Sequence, residues 1–387
     1  MSKSRAAPQG DALAVGDTSE LTQKTGLEAA EADRLAALDE WLLPIRLALR
    51  HKTRERICAR YIQALLALDG RKTVQALAAG LAGISYDQLH HFLTSAAWDS
   101  GPLAAGLIAK LFDQRKGRPE WLALSELILP KKGAHSVGVA RQQVWGQERA
   151  VNCQRLLVLM LAEGGQGLGL GLRLCLPDSW GSDAARMGSV GVPEVAQKRL
   201  DRDAVALAQI DRALVLGASA QGILLDGALA PYTKLREGLE ERGLHWAAQI
   251  APDDLGLQAQ LGPRVAADLR DLLAHGAWRG LGGAADTAIA VGSSQSHAGA
   301  MLWLVAERQA NEAPRILVSN APPSLGTRGI TRLVQARHAQ AIGFERLLQD
   351  FGLGDYEGRS WAGLHRHGLL AMLAQLFAHT QRASAKA

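Results

Sequence analysis

The chemistry-bearing residues of this chain are mostly basic. Lys131, Lys132, His135 and Arg141 lie within eleven positions, with Arg149 just beyond, and a cluster of this kind suits the phosphate groups of a polyanion. Phosphate contacts give affinity without reading sequence. A second basic run, Arg46, Arg50, His51, Lys52, Arg54, Arg56 and Arg60, falls at helical spacing and reads first as a solvated helix face. His365 and His367 flank Arg366; a zinc site would need further ligands nearby, so structural or phosphate-facing histidines are expected. Cys58, Cys153 and Cys175 are odd in number and far apart, which excludes a disulfide framework or a paired-cysteine metal site and suits a reducing compartment. Trp98 and Trp361 are expected in the core, while Trp180 is open to either packing or stacking on a base.

These residues need elements to position them. With 387 residues and 48% hydrophobic content, the chain can bury a sizeable core. Its 43 Lys and Arg against 38 Asp and Glu give a formal charge of +5, which suits a polyanionic partner without requiring one. No apolar run reaches the ~18 residues of a membrane span and the start lacks a signal-peptide hydrophobic region, so a cytoplasmic protein without a membrane partner is expected.

Residues 1–25 and 381–387 lack periodicity and are expected to be tails. Over residues 26–115, apolar residues recur every three or four positions, as in Ile57, Tyr61, Ile62 and Leu65, predicting a helical region. Ser85-Tyr86-Asp87-Gln88 should open one of its helices. The texture then changes to strands over Leu122 to Leu129, Val151 to Ala162 and Leu168 to Leu176, an antiparallel meander. Helices over Asp203 to Leu216 and Tyr232 to Arg242 alternate with strands over Gly222 to Asp226 and Leu244 to Ile250. This predicts a mixed α/β, ribonuclease-H-like core over 116–251 and 324–380. Residues 252–323 form an insertion before the last helices, Thr331 to Phe351 and Leu364 to Thr380, with strand candidates at Ala288 to Val291, Met301 to Val305 and Ile316 to Ser319.

A set of local blocks carries a resemblance. The fullest runs Pro130-Lys131-Lys132-Gly133-Ala134-His135-Ser136-Val137-Gly138-Val139-Ala140-Arg141-Gln142. Others are Arg60-Tyr61-Ile62, Phe92-Leu93-Thr94, Asn152-Cys153-Gln154, Leu176-Pro177-Asp178-Ser179-Trp180 and Tyr356-Glu357-Gly358-Arg359-Ser360-Trp361. Together, from about Ile45 to Phe377, the chain resembles the DDE transposases of bacterial insertion sequences. That resemblance implies DNA cleavage and joining by two divalent metals on three carboxylates.

It also implies where those acids should stand. The first falls on Ser125, the second on Asp226 and the third on Ala341, so one acid of three is present. A Tyr-Gly pair of the family, shortly after the second acid, is replaced by Gly227-Ala228-Leu229-Ala230. The resemblance further places Lys131, Lys132, His135, Arg141 and Arg149 beside a DNA-processing cleft, with Arg337, Arg359, Arg366, His365 and His367 on its other wall.

Three expectations follow. The first is a transposase-derived protein that binds double-stranded DNA on the nucleoid, lacks activity and needs no cofactor, with Asp226 as the sole remnant ligand. The second is an active transposase with relocated acids Glu126, Asp226 and Glu345. It would bind inverted-repeat ends as a homodimer and require Mg²⁺ or Mn²⁺. The third is a protein-interaction module built on the same scaffold.

Overall fold

Apolar runs bounded by glycine and polar turns place the strands of this chain, and three- to four-residue spacing places its helices. A computed structural model describes residues 17–113, 120–163, 165–198, 201–250, 260–280, 287–296, 299–309 and 312–384. By density of internal contacts the chain falls into two units, Met1–Leu43 and Pro44–Ala387. The boundary lies at Pro44, within helix α1 (Asp17–Arg46). Residues 17–25, expected in a tail, belong to that helix, and residues 1–16 lie outside the described chain.

In the second unit, helices α2 (Lys52–Ala67), α3 (Val74–Ala79), α4 (Tyr86–Thr94) and α5 (Gly101–Phe112) come first. Ser85 caps α4 through the Gln88 N–H while the Gln88 side chain returns to the Ser85 N–H, as the Ser-x-x-Gln spacing requires. Strands β1 (Glu120–Pro130), β2 (Ala140–Gln142), β3 (Val151–Glu163) and β4 (Gln166–Cys175) follow. Short helices α6 (Asp178–Gly181), α7 (Ala184–Ser189) and α8 (Glu194–Gln197) then lead to α9 (Arg202–Val215). Next come β5 (Ala220–Leu225), α10 (Thr233–Glu241) and β6 (His245–Ile250).

β1 lies between β3, antiparallel with Leu124 opposite Leu159, and β5, parallel with Leu124 opposite Leu225. β3 carries β4 and β2 on its far edge, and β5 pairs in parallel with β6. The order β4-β3-β1-β5-β6, three antiparallel strands followed by two parallel ones, is a ribonuclease-H-like mixed α/β fold.

The segment expected as an insertion adds strands to the same sheet. After α11 (Pro263–His275) come β7 (Arg279–Gly280), β8 (Thr287–Gln295), β9 (Met301–Gln309) and β10 (Arg315–Ser319). β10 docks antiparallel on β6, with Ile316 opposite Ile250, and β9, β8 and β7 continue outward.

Two long helices, α12 (Gly326–Gln349) and α13 (Trp361–Ser384), complete the unit. Ile330, Leu333 and Val334 of α12 bury against Trp121, Ala123 and Leu224 of the sheet. Contact farther along is close: a Cβ on Gly343 would stand 2.1 Å from the Gly167 carbonyl oxygen, so helix and strand meet backbone to backbone. α13 is buried on nearly every side over residues 364–377, between β4 and α2, α4 and α5.

Edge strand β4 would leave open backbone groups without water to satisfy them. Side chains finish them. Gln375 accepts from the Gly169 N–H at 2.9 Å and donates to the Gly167 carbonyl at 3.2 Å, Gln209 donates to the Gly171 carbonyl at 2.9 Å, and His365 Nε2 accepts from the Leu174 N–H at 3.3 Å.

Candidate functional site

Because Leu124 pairs with Leu225, the next residues, Ser125 in the middle of β1 and Asp226 just past the end of β5, are neighbours; the Asp226 N–H reaches the Leu124 carbonyl at 3.3 Å. Successive strand side chains take opposite faces. Ser125 takes the face of Ala123, toward α12, and is 3% exposed. Its Oγ accepts a 2.7 Å hydrogen bond from Gln340 Nε2.

The α12 residue meeting Ser125 is therefore Gln340 rather than the expected Ala341. Ala341 is about 100° farther round the helix and exposed. Ser125, where the resemblance implies the first acid, is engaged in a neutral hydrogen bond with Gln340, and Ala341, where it implies the third, faces solvent.

Asp226 remains, and the backbone holds it. Its Oδ2 accepts from the Glu126 N–H at 2.6 Å and its Oδ1 from the Leu229 N–H at 3.2 Å, with the Ala228 N–H also directed at it. Burial pushes the carboxyl up to about 7, against the opposing pull of these N–H groups. The turn after it is covered by Trp145, whose ring a Cβ on Gly227 would approach to 2.7 Å. Glycine at this position, one of the departures from the resembled pattern, is what admits the indole. Nothing in the spacing of Trp145 announced that contact.

The relocated acids do not assemble. Glu126 takes the opposite face from Ser125, where its buried carboxylate pairs with Arg155 at 3.0 Å and Arg202 at 3.1 Å. Glu345 is exposed and accepts from Gln349 one turn along its own helix at 3.2 Å. Alternation along β1 seats the Glu126 carboxylate among arginines, from where its charge still raises the Asp226 pKa, and the register of α12 leaves Glu345 in solvent.

A pair of hard divalent cations requires several charged oxygens. Ser125, Gln340 and one carboxylate already engaged by backbone N–H groups do not meet that requirement. Among the described residues, no group of three or more His, Cys, Asp or Glu is arranged to hold a metal ion.

The basic residues divide into two sets. Lys132, His135, Arg141, Arg149 and Arg359 are exposed. The Arg359 carbonyl accepts from the Val137 N–H at 3.1 Å, which brings that arginine beside the loop after β1. Arg186, not singled out by the sequence, joins them: it donates to the Ala134 carbonyl at 2.9 Å and lies 3.9 Å over the Trp180 ring. Lys131 is half-buried, its Nζ donating to the Tyr356 carbonyl at 3.1 Å, and burial lowers its pKa.

The other set is internal, contrary to expectation. Arg337 is 4% exposed and donates to Glu307 of β9 at 2.6 Å, with His338 on the other carboxylate oxygen at 2.6 Å. His367 is fully buried: Nε2 donates to the Gly352 carbonyl at 2.8 Å and Nδ1 accepts from the Tyr61 hydroxyl at 2.8 Å. His365 donates through Nδ1 to the Trp361 carbonyl at 2.8 Å, and burial lowers its pKa to about 3. Arg366 donates to the carbonyls of Phe92, Leu93 and Trp98. Arg337 is buried on α12, and His365, Arg366 and His367 are buried on α13 between β4 and the first helices, so these groups engage the protein interior, as the structural reading of the two histidines allowed. Trp180 is likewise core, 0% exposed, its Nε1 donating to the Val139 carbonyl at 3.0 Å.

No curated protein matches the chain. No helix among the described residues is long and apolar enough to cross a membrane. The strand order, with Ser125 and Asp226 side by side on its two central strands, agrees with a match of residues 45–286 to the family described as DDE superfamily endonuclease, and the chain belongs to that family.

Proposed function

We propose that this chain is a transposase-derived DNA-binding protein that has lost metal-dependent cutting and joining. Family membership supplies a transposase-like function and DNA as partner class. The observation that carries the loss is the Ser125–Gln340 hydrogen bond at the corner beside Asp226. Each missing metal removes several kcal/mol of transition-state stabilisation, and every ~1.4 kcal/mol is a factor of ten in rate. The exposed cations Lys132, His135, Arg141, Arg149 and Arg359, with the half-buried Arg186 beside them, would contact phosphates of double-stranded DNA.

The second reading, an active enzyme needing Mg²⁺ or Mn²⁺ and inverted-repeat ends held by a dimer, draws no support from Glu126 and Glu345, both directed elsewhere.

The test pairs two measurements on the full chain. Duplex binding should weaken steeply with salt and ignore divalent metal. Supercoiled plasmid should stay intact with Mg²⁺ or Mn²⁺. Nicking that needs metal and disappears in Asp226→Ala would overturn the reading. As a positive control, Ser125→Asp with Gln340→Glu should gain Mn²⁺ binding that neither single change provides.

A further inference from the structure

On the other side of β4, away from the Ser125–Gln340 pair, a cavity of about 560 Å³ opens between the start of α5, the end of β4, α9 and the first turn of α13. Its walls combine apolar surface from Leu174, Val205 and the half-buried Trp361 with the guanidinium groups of Arg173 and Arg212. A smaller pocket adjoins it and shares Ser100, Arg173, Arg212 and His365. Its lining includes Gln209, whose buried Oε1 has no partner.

Among the described residues, neither Arg173 nor Arg212 has an ion-pair or side-chain hydrogen-bond partner. The other cation on the wall, Arg366, is fully engaged with the carbonyls of Phe92, Leu93 and Trp98. The carboxylate on that wall, Asp99, accepts from the Gly101 N–H at 2.9 Å at the start of α5. Two unneutralised guanidiniums facing one partly enclosed space repel each other, and burial together with Arg212 lowers the pKa of Arg173 to about 10.

An anion between them relieves that repulsion. The guanidinium fork matches the oxygens of phosphate. The volume is that of a small-molecule site and the apolar walls suit an organic ring. The geometry points to a binding site for a phosphomonoester of nucleotide size, held by Arg173 and Arg212 through its phosphate. The phosphate can come from a free nucleoside monophosphate or from the 5′-phosphorylated end of a DNA strand. The site does not depend on the DNA contacts proposed above, which lie on the exposed cations after β1.

The test is calorimetric titration of the full chain with dAMP, with inorganic phosphate, and with a short oligonucleotide bearing or lacking a 5′-phosphate. Saturable dAMP binding, weakened at least tenfold by Arg212→Glu and by Arg173→Ala but unchanged by Arg270→Ala on α11, is the expected result and identifies a free nucleotide. Preference of at least tenfold for the phosphorylated oligonucleotide, lost in Arg212→Glu, identifies a strand end instead. Arg212 is exposed, so its variant tests the site even where Arg173→Ala fails to fold. Absence of binding by every phosphate probe, or binding indifferent to Arg212→Glu in a folded protein, would overturn the proposal.

Discussion

The loop after β1 and the start of α13 carry the same residue types and use them in opposite ways. Lys132, His135 and Arg141 stand in solvent, whereas His365, Arg366 and His367 are buried. In the first region the side chains of Asn152, Gln154 and Arg186 cap the loop carbonyls, which leaves Lys132 and His135 to the solvent. In the second, side-chain polar atoms terminate backbone groups that have no other partner: the Leu174 N–H for His365, the Gly352 carbonyl for His367, and the Phe92, Leu93 and Trp98 carbonyls for Arg366. A basic motif therefore acquires its role from the polar groups around it, and the residue types alone do not assign one.

The largest test of that contrast is Arg366→Ala. It strands three inward carbonyls and removes a cation 4.3 Å from the Trp98 ring, and should cost about 3–5 kcal/mol in urea unfolding. Glu307→Gln should approach the same loss, because it leaves Arg337 buried without its anion. A cost below ~1 kcal/mol for either would mean that these groups reach water after all.

In the exposed loop the pattern should invert. Lys132→Ala or Arg359→Ala should change stability by no more than about 0.5 kcal/mol. Each should reduce the slope of log affinity for duplex DNA against log salt by ~0.9. An unchanged slope would remove that residue from the DNA contact.

The start of α13 and the corner at Asp226 should differ with pH. The folded protein holds His365 neutral to about 3, below its ordinary 6.5, so the unfolded chain binds more protons between those values. Its contribution to stability is complete above about 6.5 and is lost as pH falls toward 3; His365→Gln should flatten that part of the melting-temperature profile. Asp226 has the opposite sign. Raised from 3.8 to about 7, it is protonated more in the folded state, so its contribution declines as pH rises through that window, and Asp226→Asn should remove that smaller slope.

Much of the sheet was legible in the chain because strands buried on both faces need continuous apolar runs, as in Trp121 to Leu124 and Ile223 to Leu225. The Ser-x-x-Gln cap of α4 was legible for a local reason, since both partners lie within one turn. The outer strands were visible only in part, and their continuation of the central sheet was not, because pairing between residues as distant as Ile250 and Ile316 leaves no local periodicity. At the corner beside Asp226, the neutral identities of Ser125 and Ala341 could be read directly. That Gln340 rather than Ala341 faces Ser125 could not, since a one-residue step turns a helix by about 100°.

The sequence by itself determined the alternation of helix and strand, the family, and the identity of each residue available for chemistry. Tertiary structure alone decided which charges meet solvent, which acids face one another, and that Arg173 and Arg212 share a cavity. The physical reason is that an element's pattern is set by which of its faces are buried, whereas a polar side chain's work is set by partners that reach it from distant parts of the chain.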